Sequence, residues 1–146
     1  MQAGGLQRFD GHLVDHSGNK VELSKVTNKK LVGLYFSAHW CPPCRGFTPI
    51  LSEFYNTVKA SHPDELEIIF VSSDKDEKSF KEYFGEMPWI SLEFGNALKG
   101  TLGQEFGVNG IPFFVILKAD GTLVTKEGRA DVQAKGEQAV AGWLSK

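Results

Sequence analysis

The chain has 146 residues, 41% of them apolar and 11 of them Phe, enough for one domain with a substantial core and too apolar for a disordered chain. With 18 acidic residues against 16 basic ones the net charge is −2, so neither nucleic acid nor a membrane surface is an expected partner. No apolar run approaches the roughly 20 residues of a membrane span.

Met1-Gln2-Ala3-Gly4-Gly5 lacks a charged segment followed by an apolar one, so no signal peptide is expected. Residues 1–8 read as a flexible leader and 9–146 as the folded domain. Gly11 to Asp15 and Val21-Glu22-Leu23 alternate apolar and polar residues, and His16 to Lys20 between them reads as the turn of a β-hairpin. Leu31-Val32-Gly33-Leu34-Tyr35-Phe36 is apolar on both faces, which predicts a central strand covered on both sides. The spacing of Phe47, Ile50, Leu51, Phe54 and Val58 predicts a helix from about Pro43 to Ala60, bent at Pro49. Leu66 to Ser72 is a second buried strand, completing a βαβ unit.

Asp76 or Asp74 is expected to cap a helix over about 77–86 that packs Phe80, Tyr83 and Phe84. Met87 to Leu92 reads as extended, with Trp89 in the core. A helix over 96–106 turns Leu98, Leu102 and Phe106 inward. Phe113 to Leu117 is a strand, Ala119 to Thr122 a tight turn, and Leu123-Val124-Thr125 its return. A last helix over about 131–144 closes the domain with Val132, Ala139, Val140 and Trp143. The order predicts an α/β fold with a central mixed sheet between helices.

The chemistry concentrates in Trp40-Cys41-Pro42-Pro43-Cys44-Arg45, between the central strand and the long helix. It holds the only two cysteines of the chain, and C-x-x-C at the start of a helix in a βαβ pattern reads as a thiol–disulfide motif. A disulfide needs Cα atoms about 4.4–6.8 Å apart, which a first helical turn supplies. Pro42 fits that turn, where its missing N–H is no loss, and Pro43 stiffens it. Cys41 falls at the helix N-terminus, where free N–H groups favour an anion, and the thiolate is the reactive form. Cys41 is therefore assigned as the attacking thiol and Cys44 as the resolving one. Arg45 adds positive charge or is a solvated helix residue. A loop this short would do little as a structural crosslink, and a zinc site lacks a second cysteine pair, so no metal is expected. His39 reads as a loop residue. Two cysteines confined to one motif fit a reducing compartment, the cytoplasm being the expected location and the nucleus a second one.

With its elements placed, the chain resembles the thioredoxin superfamily over nearly its full length. Tyr35 to Pro49, Phe70-Val71-Ser72-Ser73-Asp74 and Tyr83 to Trp89 resemble the tryparedoxin/nucleoredoxin branch, and the nucleoredoxins more closely. The resemblance implies a thioredoxin-like three-layer α/β/α sandwich with a central mixed β-sheet and an N-terminal β-hairpin. It implies a monomeric reductase of disulfide-containing protein substrates, recharged by an upstream reductase or small thiol donor. No cofactor beyond the Cys41–Cys44 disulfide is implied. It also implies a cis Ile111–Pro112 bond facing the disulfide, with Ile111 backbone groups open to an extended substrate. Trp40, Pro42 and Pro43 would complete the substrate surface. Arg129 is a rim residue or a surface arginine. Thioredoxins proper carry a buried carboxylate where this chain has Tyr35, read as a core aromatic or a hydrogen-bonding neighbour of the thiols. The Cys44 side is then left without an obvious side-chain base. Tryparedoxins carry a tryptophan and an acidic pair where this chain has Ser73-Asp74-Lys75, and Lys75 opposes a cationic polyamine substrate. The alternative reading is a redox-gated regulatory binding module of the nucleoredoxin type, as a single-domain relative or one domain of a larger protein.

Overall fold

The computed structural model describes residues 6–146. Of the expected leader, residues 1–5 lie outside the described residues. Leu6 is buried, and Gln7–Phe9 form a single 3-10 turn that buries Phe9.

The elements follow in order as β1 (Leu13–Val14), α1 (Ser24–Thr27), β2 (Leu31–Ser37), α2 (Pro42–Ser61), β3 (Leu66–Ser72), α3 (Glu77–Phe84), β4 (Ile90–Leu92), α4 (Leu98–Glu105), β5 (Phe113–Lys118), β6 (Leu123–Thr125), α5 (Gly128–Lys135) and α6 (Ala139–Leu144). Among the described residues the strands form one six-stranded sheet, ordered β1-β4-β3-β2-β5-β6. β2, β3 and β4 run parallel, while β1, β5 and β6 pair antiparallel to their neighbours. The sheet is mixed, and β2 is central and buried along its whole length, as its two apolar faces require.

Alternation along β2 divides the core into two layers. Leu31 and Tyr35 face α2, α3, α5 and α6, whose Phe47, Leu51, Phe80, Tyr83, Val132 and Trp143 fill that side. Val32, Leu34 and Phe36 face α1 and α4, with Val26, Leu102 and Phe106. This is a three-layer α/β/α sandwich. Trp89 is buried with the first layer, as expected.

Four elements differ from their predicted form. The hairpin turn closes through Asp15 N–H to Asn19 O at 2.9 Å and Val21 N–H to Leu13 O at 2.9 Å, but its second arm contributes only one bridge, at Lys20. β1 finds its longer partner in β4, far along the chain. The extended stretch from Met87 narrows to a strand at Ile90–Leu92, because Pro88 cannot donate to a ladder. The closing helix is two helices, since the chain turns at Gly136 with φ 55°, a conformation that ends α5. α2 runs through the exposed Pro49 as one continuous helix. The choice of cap is settled by geometry. Asp76 accepts Ser79 N–H at 2.8 Å and caps α3, and Asp74 is used elsewhere.

Candidate redox site

β2 ends at Ser37, and the chain crosses to α2 through Ala38, His39 and Trp40. Its neighbour β3 ends at the same level and holds this crossing in place. Ser73 N–H donates to Ser37 O at 2.9 Å, and the Trp40 indole N–H donates to Ser73 O at 3.1 Å. Asp74 is buried. Its carboxylate accepts His39 N–H at 2.7 Å and the Ser72 hydroxyl at 2.7 Å. This role was not legible in the sequence, where Asp74 looked like a helix cap. Asp74→Ala leaves one buried and one part-buried donor without their acceptor and is expected to lower stability by about 1–3 kcal/mol. Urea unfolding measures the loss, and a change below half a kcal/mol would mean that the carboxylate does not hold the loop.

Cys41 is the N-cap of α2. Its sulfur accepts Cys44 N–H at 3.3 Å, and its S–H lies 3.8 Å from Ile111 O. Pro42 and Pro43 occupy the first helical positions and are exposed. Both cysteines are present as free thiols, Cys41 keeping 5% of its surface and Cys44 none. The Ile111–Pro112 peptide bond is cis. Pro112 is buried and Ile111 half-buried, packed against the Ala38, Cys41 and Cys44 cluster. Sequence and structure therefore bring Cys41, Cys44, Ile111 and Pro112 together. Trp40 is 54% exposed beside them, and Arg45 is exposed on α2. Arg129 is half-buried rather than on the open surface. Its guanidinium lies 5.8 Å from the centre of the Phe47 ring, and it lines a groove beside Pro112.

Tyr35 is both a core aromatic and part of a buried hydroxyl network behind Cys44. Its Oη lies 2.6 Å from Thr48 Oγ1, Thr48 Oγ1 lies 2.5 Å from Tyr83 Oη, and Tyr83 Oη lies 2.6 Å from Ser37 Oγ. Thr48 also donates to Cys44 O at 3.0 Å. Ser37, Thr48 and Tyr83 were not legible as site residues. Thr48 and Tyr83 look like ordinary helix positions until their helices are docked. Burial raises the Tyr35 and Tyr83 hydroxyls above the usual phenol value, Tyr35 the more strongly, so both stay protonated at neutral pH.

Burial, and next the adjacent Cys41 thiol, push the Cys44 thiol up from 9.0 to about 11, while the Ser37 hydroxyl and a backbone bond at Ala38 pull it partly back. Cys44 is thus held as a protonated thiol, with two hydrogen-bonding partners ready for its thiolate. They stand where a side-chain base is lacking. The sign of the linkage follows. The folded chain keeps a proton that the unfolded chain releases above 9.0, so stability falls as pH rises from about 9 to about 11. The reduced protein is expected to lose Tm relative to Cys44→Ala across that window, read by thermal unfolding in reducing buffers. Parallel Tm profiles would contradict the buried thiol.

No group of three or more His, Cys, Asp or Glu among the described residues is arranged to hold a metal ion. None of their helices is long and apolar enough to cross a membrane.

An α/β/α sandwich with a dithiol at the N-terminus of the helix that follows the central strand, beside a cis-proline, defines the thioredoxin class of redox proteins. The chain belongs to the thioredoxin-like family, which it matches over residues 28–123, and with it to a family of oxidoreductases. It is 45% identical over 128 residues to a probable nucleoredoxin 1 of Arabidopsis thaliana, covering 88% of this chain and 22% of that one. To the tryparedoxin of Trypanosoma brucei brucei it is 42% identical over 123 residues, covering 83% of each. Among solved structures, a tryparedoxin II complexed with glutathionylspermidine superposes with a TM-score of 0.84 at 32% identity, covering 92% of this chain and 94% of that one. The chain spans about a fifth of the plant nucleoredoxin's length, 22%, and most of a tryparedoxin's.

Proposed function

We propose that the chain is a dithiol oxidoreductase that reduces protein disulfides, with Cys41 as nucleophile and Cys44 as resolving thiol. The observation that carries this is the position of Cys41 as N-cap of α2, its sulfur on Cys44 N–H and 3.8 Å from Ile111 O. A sulfur accepting a helix N–H is electrostatically suited to be a thiolate.

The Cys41 thiolate attacks one sulfur of a substrate disulfide. The substrate S–S bond breaks, one substrate thiol leaves with a proton, and a mixed disulfide on Cys41 remains. Cys44 then loses its proton and attacks Cys41 Sγ. The Cys41–Cys44 disulfide forms and the second substrate thiol leaves with a proton. Two electrons and two protons pass to the substrate. An upstream reductase or small thiol donor returns them, and the cysteine pair itself is the only redox group required. Ile111 offers its backbone to an extended substrate, Trp40, Pro42 and Pro43 form the exposed surface around it, and buried Pro112 sets its direction through the cis bond. The site acts in the monomer. Both cysteines lying in the motif suits a reducing compartment, the cytoplasm first and the nucleus as a second location.

The test is the Cys41–Cys44 reduction potential, taken by equilibration in graded thiol/disulfide buffers, with stoichiometric reduction of insulin by the pre-reduced protein. A potential of about −270 to −230 mV with insulin reduced supports the reading. A potential at or above about −180 mV makes the pair an oxidant or isomerase instead.

A further inference from the structure

We propose that this dithiol selects disulfides flanked by acidic residues in a protein segment, and that Lys75 is the specificity-determining residue. The inference rests on the disulfide-reductase reading and names its substrate class.

Lys75 Nζ lies 5.7 Å from the centre of the Trp40 ring. Trp40 is the residue before Cys41, and its indole N–H is fixed on Ser73 O. The ring is therefore a platform that holds a cation beside the attacking sulfur. The carboxylates nearest in the chain keep their charge, but each is bonded elsewhere and none is paired with Lys75. Asp74 is turned inward onto His39 N–H and Ser72 and is 5% exposed. Asp76 is engaged at the cap of α3. Glu86 lies 3.6 Å from His39 Nε2. On the Pro112 side of the motif, Arg129 sits over Phe47, and its buried Nε has no hydrogen-bond partner. Lys126 and Glu127 share that groove with opposite charges, leaving Arg129 as its surplus. Arg45, exposed on the first turn of α2, adds a third cation to exposed Lys75 and half-buried Arg129.

A substrate strand laid along Ile111 thus meets apolar Trp40 and Ile111 at its centre and cations at both flanks. An acidic residue near the target cysteine gains at either end, whereas a basic one is repelled. The peptide source is favoured over a small free anion because the apolar surface and the Ile111 backbone suit an extended chain.

The test uses the full chain, pre-reduced, and two disulfide-bonded peptides that differ only in carrying Glu or Lys beside the cysteine. Second-order rates are measured against ionic strength. The expected result is a preference of about tenfold for the Glu peptide at low salt, shrinking towards unity at about 0.5 M salt. Lys75→Glu inverts the preference, and Lys75→Met, which keeps an apolar stem on Trp40, brings it towards unity. Lys78→Glu, an equal change of net charge on α3, leaves it in place. An unchanged ratio in Lys75→Glu, or an equal shift in Lys78→Glu, overturns the proposal. Reduction of oxidised glutathione faster than the Glu peptide overturns the choice of a protein segment. If wild-type protein reduces neither peptide nor insulin, the reductase reading itself falls. If insulin is reduced while the ratio stays at unity, only the specificity inference does.

Discussion

Cys41→Ser is expected to abolish protein-disulfide reduction, with insulin turnover falling at least about a thousandfold to the uncatalysed background. Serine keeps the shape of the N-cap and its bond from Cys44 N–H, but its hydroxyl does not ionise near neutral pH and cannot displace a thiolate. Cys44, fully buried with its thiol raised to about 11, cannot take over as the attacking group. Cys44→Ser has a different signature. The first attack proceeds, the mixed disulfide on Cys41 has no internal resolving thiol, and a one-to-one covalent adduct with the substrate accumulates. Intact-mass analysis after mixing with a disulfide substrate reads this directly. Adduct on Cys41→Ser and none on Cys44→Ser would reverse the two roles. Full turnover by either variant would remove the dithiol relay.

The placement of the two cysteines, Cys41 capping α2 and Cys44 buried one turn in, was legible in the sequence, because the helix N-terminus, the prolines and the preceding apolar strand all act locally. So was the mixed α/β architecture, since each long strand and helix announces itself by its own periodicity. The environment of the thiols was not. Ser37 reads as the polar end of a strand, Thr48 as a helix position and Tyr83 as a core aromatic. Their hydroxyls meet only when β2, α2 and α3 are docked, at 2.5–2.6 Å. The sequence suggested a vacancy beside Cys44 because it carries no carboxylate at Tyr35. The folded chain places the Ser37 hydroxyl there, within the network shared with Tyr83 and Thr48. Asp74 was hidden for the same reason. A carboxylate two residues from a helix start looks like a cap, and only the parallel pairing of β2 with β3 brings it under His39. The split of the final helix was missed because Val132, Ala139 and Trp143 keep a helical rhythm across Gly136.

The same nonlocal packing gives the second large effect, at Phe114. Its ring is buried on β5, edge-on to Tyr35 at 6.2 Å and to Trp143 at 6.2 Å. The backbone makes room for it on two sides. A Cβ added at Gly33 of β2 would fall 2.5 Å from the Phe114 ring, and one at Gly128 of α5 would fall 2.7 Å from the ring and 2.8 Å from Phe114 O. Gly33 and Gly128 are therefore steric counterparts of one side chain, which ties the central strand to the C-terminal helices. Phe114→Ala removes the ring from a site whose walls are strand and helix backbone, where collapse is restricted. A loss of about 3–5 kcal/mol follows, and with it a fall in Tm of about 10 °C or more. Gly128→Ala acts from the other side. Its methyl group meets a carbonyl that cannot rotate away, so α5 must shift, at a cost of about 1–3 kcal/mol. Chemical denaturation of both variants measures these losses, and the double variant separates them. If ring and glycine are complementary, Gly128→Ala costs less in the Phe114→Ala background than in the wild type, because the added methyl group then enters the space the ring has left. Strict additivity would show that the two positions stabilise the fold independently. Phe114 lies two residues beyond the cis-proline, so β5 also sets where Ile111 stands relative to Cys41. Loss of the ring is expected to slow disulfide reduction even below the unfolding temperature, whereas Gly128→Ala, acting on the far end of the contact, lowers stability more than turnover.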